Sequence, residues 1–199
     1  MPVTIIGGKL KGRKLSPVGS GKDTITRPIL ARVKKSLFDI IRQKIPGACF
    51  LDLYAGTGSV GIEALSRGAA YCVFIDSDRG VIDLLNKNLT LLGLQIDAVA
   101  YQRDLSAGLG WLKNLRADVF FDIIFIGAPY RNFVTNKMLG NVTAAGITKE
   151  TTLIIAQHHK NEKIDAGQGY GVFREERYGD TVLSFIRKAC SGAGNGDEI

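Results

Sequence analysis

Glycines 56, 58 and 61 stand in GxGxxG spacing within the stretch LDLYAGTGSVGIEALSRGA. Between an apolar run and an amphipathic one, that spacing permits a tight turn and lets a ligand approach the backbone at a helix N-terminus. A dinucleotide site uses this N-terminus to hold a pyrophosphate, and a neighbouring carboxylate opposes such an anion. Here Asp52 lies four residues before Gly56, at the end of the strand. A carboxylate in that place suits a cationic ligand, such as the ammonium and sulfonium of S-adenosylmethionine; a nicotinamide dinucleotide is the alternative. Asp76 ends the next apolar run, where an acid can accept both hydroxyls of a ribose, and Asp104 follows the third, where it can accept from an adenine amine. Three acids at the carboxyl ends of three successive parallel strands converge on the crevice where such sheets bind ligands.

Two further stretches carry chemistry. FDIIFIGAPY, Phe121 to Tyr130, reads as a buried strand running into a proline-stiffened corner with an aromatic at its lip. At the other end of the chain, residues 1 to 44 hold eleven Lys or Arg against Asp23 and Asp39, a local charge of +9, while the rest of the chain sums to −2. The basic arm IIGGKLKGRKL is what a phosphate backbone attracts, because each cation that neutralises a phosphate releases counterions. Gly7-Gly8 and Gly12, in or near the bends of a hairpin, are expected to expose these charges together. His158 and His159, after the fifth strand, read as a solvated loop; no metal site is expected.

The elements that must position these residues follow from periodicity. Ile29, Leu30, Val33, Leu37, Ile40 and Ile41 recur at helical spacing, with Pro28 suited to the first turn. From residue 49 onward, apolar strands alternate with amphipathic helices. The strands are CFLDLY, YCVFID, AVAYQ, DIIFIG and TTLIIAQ; the helices run from about Ser59 to Ser66, Arg79 to Leu92, Ala107 to Leu115 and Asn132 to Leu139. GVFREERY and TVLSFIRKA close the chain as an edge hairpin, with the YGDT stretch, Tyr178 to Thr181, as its turn. Strict alternation of this kind means an α/β fold, a mostly parallel seven-stranded Rossmann-like sheet with helices on both faces. The domain reading is a basic hairpin and linker over 1–22, the main domain over 23–190 and a flexible tail over 191–199.

Composition sets limits on the rest. A chain of 199 residues with 45% hydrophobic content can bury one substantial core. Its N-terminal stretch lacks the apolar centre of a signal peptide, and no apolar run approaches the roughly 20 residues that cross a bilayer. A soluble, cytoplasmic protein without a membrane partner is expected. Cys49, Cys72 and Cys190 are odd in number and widely spaced, which suggests neither a disulfide framework nor a zinc site, and Cys49 and Cys72 read as core residues.

Taken together, IIGGKLKGRKL, TRP, RVKKSLFDII, DLYAGTGSVGIEALSRGA, Asn88, FDIIFIGAPY and YGDTVLSF resemble, in order, the bacterial 16S ribosomal RNA guanine-N2 methyltransferases. The resemblance runs from about Ile5 to Phe185. It implies a class I methyltransferase fold, S-adenosylmethionine as donor, and transfer to the exocyclic amine of one guanine in small-subunit RNA, within an assembling particle. Mapped onto this chain, it implies a cofactor set of Asp52, Tyr54, Ala55, Gly56, Thr57, Gly58, Asp76, Ser77 and Asp104. RNA contacts fall on Lys9, Lys11, Arg13, Lys14 and Arg27, and the catalytic corner on Gly127, Ala128, Pro129 and Tyr130.

This chain departs from the family at three carboxylates. The family corner reads Asp-Pro-Pro-Tyr or Phe, where this chain has Gly127-Ala128-Pro129-Tyr130; Ala31 and Lys35 stand where Asp and Glu are common. The lone pair on guanine N2 is delocalised into the ring, so acceptors must pyramidalise the amine and aim it. One is the side chain at position 127, the other the carbonyl of the next residue. Pro129 biases Ala128 toward an extended conformation that still presents its carbonyl, and Tyr130 can stack on the base. Two readings follow: a methyltransferase short of one polar contact, or a weak or inactive RNA-binding relative that keeps the cofactor pocket.

Overall fold

The computed structural model describes residues 3–16, 29–114, 120–129 and 134–189. Arg27, Pro28, Tyr130, Cys190, the linker beyond Ser16 and the C-terminal tail lie outside these residues.

A two-stranded antiparallel hairpin, β1 (Val3–Thr4) and β2 (Lys14–Leu15), precedes helix α1 (Ala31–Ile40). The main sheet is built from β3 (Cys49–Leu53), β4 (Tyr71–Asp76), β5 (Ala98–Gln102), β6 (Phe121–Ile126), β7 (Thr148–His159), β8 (Tyr170–Tyr178) and β9 (Thr181–Lys188). Helices α2 (Ser59–Ser66), α3 (Arg79–Leu92) and α4 (Thr135–Ala144) cover it. Strand order is β5-β4-β3-β6-β7-β9-β8. The first five strands are parallel, and β9 inserts antiparallel between β7 and β8. This is the expected Rossmann-like class I methyltransferase architecture, with its basic N-terminal hairpin.

Alternation of side chains divides the core in two. Phe50, Ile123 and Phe125 face a layer formed by α1, α2, α3 and the hairpin's Ile5 and Leu15. Leu51, Leu53, Ile124 and Ile126 face α4 and the turns before β6. Strands buried on both faces must be apolar along their length, which is why they read as continuous runs.

Three expectations change. The helix over 107–115 is two 3₁₀ turns, Leu105–Ala107 and Gly110–Asn114, because Gly108 between them takes φ +88 and stops any α-helix. Helix α4 starts at Thr135 and continues to Ala144. His158 and His159 belong to β7, which β9 pairs out to His159. His158 is buried, its Nε2 2.8 Å from Ser184 Oγ and its Nδ1 3.0 Å from the His159 carbonyl.

The hairpin is docked through a buried polar cluster. Glu63 on α2 has no exposed surface; its Oε2 accepts from the Ile6 amide at 2.8 Å and lies 3.5 Å from Lys34 Nζ of α1. Its Oε1 accepts from Arg67 Nε at 2.8 Å, and Lys34 donates to the Thr4 carbonyl at 3.0 Å. Burial pulls the Lys34 ammonium below its ordinary pKa, with Glu63 opposing that shift. At the end of α2, Ser66 Oγ donates to the Gly7 carbonyl at 2.6 Å and accepts from the Leu10 amide at 2.9 Å. Gly8 is therefore fixed both by its bend, with φ +74, and by contact: a Cβ there would fall 1.8 Å from the Ser66 carbonyl oxygen.

Removing one partner of a buried ion pair strands the other, at a cost of about 3–5 kcal/mol. Glu63→Ala is expected to destabilise the protein by about that amount in urea unfolding and to expose the hairpin to limited proteolysis. Lys34→Met combined with Glu63→Leu should recover much of the loss; a Glu63→Ala protein as stable as the parent would show that the cluster does not hold the hairpin.

Candidate active site

Between β3 and α2 the chain makes the tight glycine turn its spacing requires. Gly58, with φ +73, begins α2, and a Cβ on it would meet Leu85 Cδ1 at 2.3 Å. A Cβ on Gly61 would meet Phe74 Cε1 at the same distance, so Gly58 lets α3 approach the turn and Gly61 lets α2 pack closely on the sheet. Above Gly56 the situation is reversed: an added Cβ would meet nothing within 4 Å, so the loop faces open space. Tyr54 is the one non-glycine residue with positive φ among the described residues, at +61. For an L-residue this conformation costs roughly 1–2 kcal/mol, and such costs cluster at ligand sites.

The acids occupy different depths. Asp52 sits one residue before the end of β3, 1% exposed, and its Oδ2 accepts from the Gly61 amide at 2.9 Å. Burial pushes its carboxyl up to about 8, against the Gly61 hydrogen bond; Asp76 adds to the rise. Asp76 closes β4, with Oδ2 accepting from the Gly56 amide at 3.0 Å and Oδ1 from the Asp78 amide at 3.1 Å. Ser77 beside it is exposed. Asp104 is exposed and caps the first 3₁₀ turn by accepting from the Ser106 amide at 2.8 Å. That bond, more than the Lys137 charge nearby, holds its carboxyl below the usual range. The Tyr54 phenol is pushed up by burial first, then by Asp104 and Asp76.

The GAPY corner adjoins the same loop. Ile126 pairs with Leu53 across the sheet, and the Gly127 amide donates to the Leu53 carbonyl at 3.1 Å. Gly127 has no positive φ. A Cβ there would lie 3.0 Å from Phe125 Cε1 and 3.7 Å from the Leu53 carbonyl oxygen, so a side chain needs only a small shift of the Phe125 ring. Ala128 is buried and Pro129 exposed.

Other sequence-derived residues lie farther away. Lys9, Lys11, Arg13 and Lys14 are all exposed on the hairpin. Because the hairpin is tied to the C-terminal end of α2, and Arg13 donates to the Leu91 carbonyl at the end of α3, its tip lies at the amino edge of the sheet. The glycine loop is at the other end of α2, about 12 Å away for eight residues. Ala31 and Lys35 are exposed, with Lys35 paired to Asp39 at 2.6 Å.

Some features had little signal in the sequence. Trp111 packs edge-on to Tyr101 with centroids 5.3 Å apart, and the Arg103 guanidinium lies 5.3 Å over its ring, giving β5 an aromatic flank. Its being the only tryptophan was the one clue. Glu162, 6% exposed, accepts from the Thr135 amide at 3.0 Å and hydroxyl at 2.8 Å, securing the start of α4. Among the described residues no group of His, Cys, Asp and Glu could hold a metal ion.

Comparison with known proteins agrees with this arrangement. The family model described as Conserved hypothetical protein 95 matches residues 3–187. The Bacillus subtilis protein named "Putative rRNA methyltransferase YlbH" is 34% identical over 185 residues, covering 92% of this chain and 98% of that one. The Escherichia coli protein named "Ribosomal RNA small subunit methyltransferase D" is 28% identical over 203 residues, covering 98% and 94%. A solved structure described as "Putative methyltransferase yhhF from Escherichia coli" superposes with a TM-score of 0.79 at 27% identity, covering 94% of this chain and 98% of that one. The chain belongs to the family described as Conserved hypothetical protein 95, together with these ribosomal RNA methyltransferases.

Proposed function

We propose that this protein methylates the exocyclic N2 of a guanine in small-subunit ribosomal RNA, within an assembling particle, with S-adenosylmethionine as donor. The observation that carries this reading is the adjacency of an open glycine loop, whose Gly56 amide is bonded to Asp76, to a corner bonded directly to β3 through Gly127. The same reading makes residues 1–22 a basic hairpin and linker, residues 23–190 the methyltransferase domain and 191–199 a tail, in a cytoplasmic protein. No helix among the described residues is long and apolar enough to cross a membrane.

The donor set fits the cofactor. Asp76 presents a carboxylate at the end of β4 to ribose hydroxyls, the open space over Gly56 admits a ligand against the backbone, and the excess of acids suits a cation better than a pyrophosphate. Bound there, S-adenosylmethionine supplies a methyl group on a sulfonium. The protein's task is then to hold the guanine amine in line. The Ala128 carbonyl is the acceptor left to pyramidalise it, and Tyr130 is the stacking platform. No general base is required, since the amine can lose its proton to water after the methyl has moved.

A specific observation favours a second reading, a weak or inactive relative. Gly127 supplies no acceptor. One charge-assisted hydrogen bond is worth roughly 1.5–3 kcal/mol, about 10- to 150-fold in rate when it acts only in the transition state. Radiolabelled methyl transfer to immature small subunits separates the two; absence of incorporation at high enzyme excess, with cofactor binding intact, selects the second.

Asp76→Ala is expected to weaken S-adenosylmethionine binding at least tenfold in calorimetry, about 1.4 kcal/mol, while far-UV circular dichroism is unchanged; unaltered affinity would remove Asp76 from the cofactor site. Gly127→Asp is expected to raise single-turnover methylation of immature small subunits about 10-fold or more, with cofactor affinity little changed. The backbone already has a conformation that Asp tolerates. A variant whose carboxylate points into the pocket in a crystal structure, yet transfers no faster, would show that the missing acceptor is not the limiting defect.

A further inference from the structure

The carboxyl edge of the sheet is divided by charge. At the ends of β3, β4 and β5 stand Asp52, Asp76, Asp78 and Asp104. Arg103 on that side is engaged with the Trp111 ring and the Gln102 carbonyl. A polyanion threading toward the GAPY corner is repelled from this half. The hairpin cations stand at the opposite edge, about one length of α2 behind the corner. Something nearer must hold the backbone of an RNA whose base enters the corner.

The other half of the edge has the required groups. β7 continues three residues beyond Ala156, the partner of Ile126, so the two-residue turn Gly179-Asp180 between β8 and β9 stands about 10 Å above the level of the corner. Laterally it is two to three strand spacings from β6, about 10–15 Å. The Tyr178 hydroxyl is hydrogen-bonded to Ser36 Oγ, which ties the turn to α1. Two arginines flank Gly179. Arg177 Nε donates to the Gly179 carbonyl at 3.2 Å, and Arg32 Nη2 lies 3.9 Å from where a Cβ on Gly179 would be. Both arginines are exposed, and among the described residues neither has a carboxylate partner at salt-bridge distance. Asp180 is instead paired with Lys160 at 2.7 Å. Lys160, Arg32 and Arg177 against Asp180 leave this turn net positive.

We propose that Arg32 and Arg177, on the turn at the carboxyl edge, form a second RNA-backbone site that clamps phosphates flanking the target nucleotide. Guanidinium forks match phosphate oxygens in pairs, and the Arg177 Nε bond to Gly179 fixes its fork while leaving the terminal nitrogens without a protein partner among the described residues. The inference rests on the RNA methyl-transfer reading and extends it from one contact surface to two.

The test is the double variant Arg32→Ala/Arg177→Ala, compared with Arg42→Ala/Lys44→Ala. The latter removes the same charge from an exposed 3₁₀ turn that leads into the amino end of β3. Binding to immature small subunits is measured across salt concentrations, with methylation kinetics alongside. Each lost phosphate contact lowers the slope of log affinity against log salt by about 0.7–0.9, so the Arg32/Arg177 variant is expected to lose about 1.4–1.8 from its slope. Its KM should rise at least fivefold, with kcat and S-adenosylmethionine affinity within twofold of the parent, and Arg32→Lys/Arg177→Lys should keep most of the slope. A slope and KM no different from the Arg42/Lys44 control overturn the inference alone. A parent protein that neither binds nor methylates the particles overturns the functional reading, and the inference with it.

Discussion

Helix α2 has no exposed face: every residue from Ser59 to Ser66 is buried. A helix in that position must find internal partners for each polar group at its ends and along its length. Asp52 takes the Gly61 amide, Glu63 gathers the Ile6 amide and two cations, and Ser66 holds Gly7 and Leu10. The loop before α2 faces open space at Gly56, and the segment bound at the helix's far end is the hairpin. One short element thus fixes both, which explains why it contains a glycine at the sheet contact and a fully buried glutamate.

The burial of Asp52 sets a different balance from that of Asp76. At 1% exposure, with one amide donor, Asp52 favours the neutral form in the unliganded protein, whereas Asp76 stays half-exposed at the strand end with two amide donors. Of the three acids, the two at the surface of the crevice can meet a ligand directly. Asp52 supports the loop from beneath, its carboxyl held by the Gly61 amide at the first turn of α2.

Much of this was legible in the sequence because the governing signals are local. Continuous apolar runs such as CFLDL and FDIIFI mark strands buried on both faces, and the glycine spacing marks the turn between strand and helix. What escaped depends on distant partners. Gly7-Gly8 reads as a bend, and Gly8 does take φ +74, but the Ser66 carbonyl, 58 residues from Gly8 in sequence, adds a second demand for glycine there that nothing local announces. HHK after TTLIIAQ reads as a loop because nothing local says that β9 will pair as far as His159. Lys34 and Glu63 look like surface charges on two amphipathic helices until the hairpin closes over them. The helix expected over 107–115 fails for a local reason, Gly108, that the apolar spacing of Leu109 and Leu112 outweighed.

At Gly127 the backbone, and not a side chain, sets where the corner sits. Its position depends on the Gly127 amide bond to the Leu53 carbonyl and on the pairing of Ile126 with Leu53, both properties of the backbone. A side chain at 127 contributes nothing to that framework, and Phe125 already fills the nearest space. The strand alone carries the architecture at this position. The turn at Gly179 is likewise placed by its backbone and one side-chain contact, the pairing of β8 with β9 and the hydroxyl pair of Tyr178 and Ser36.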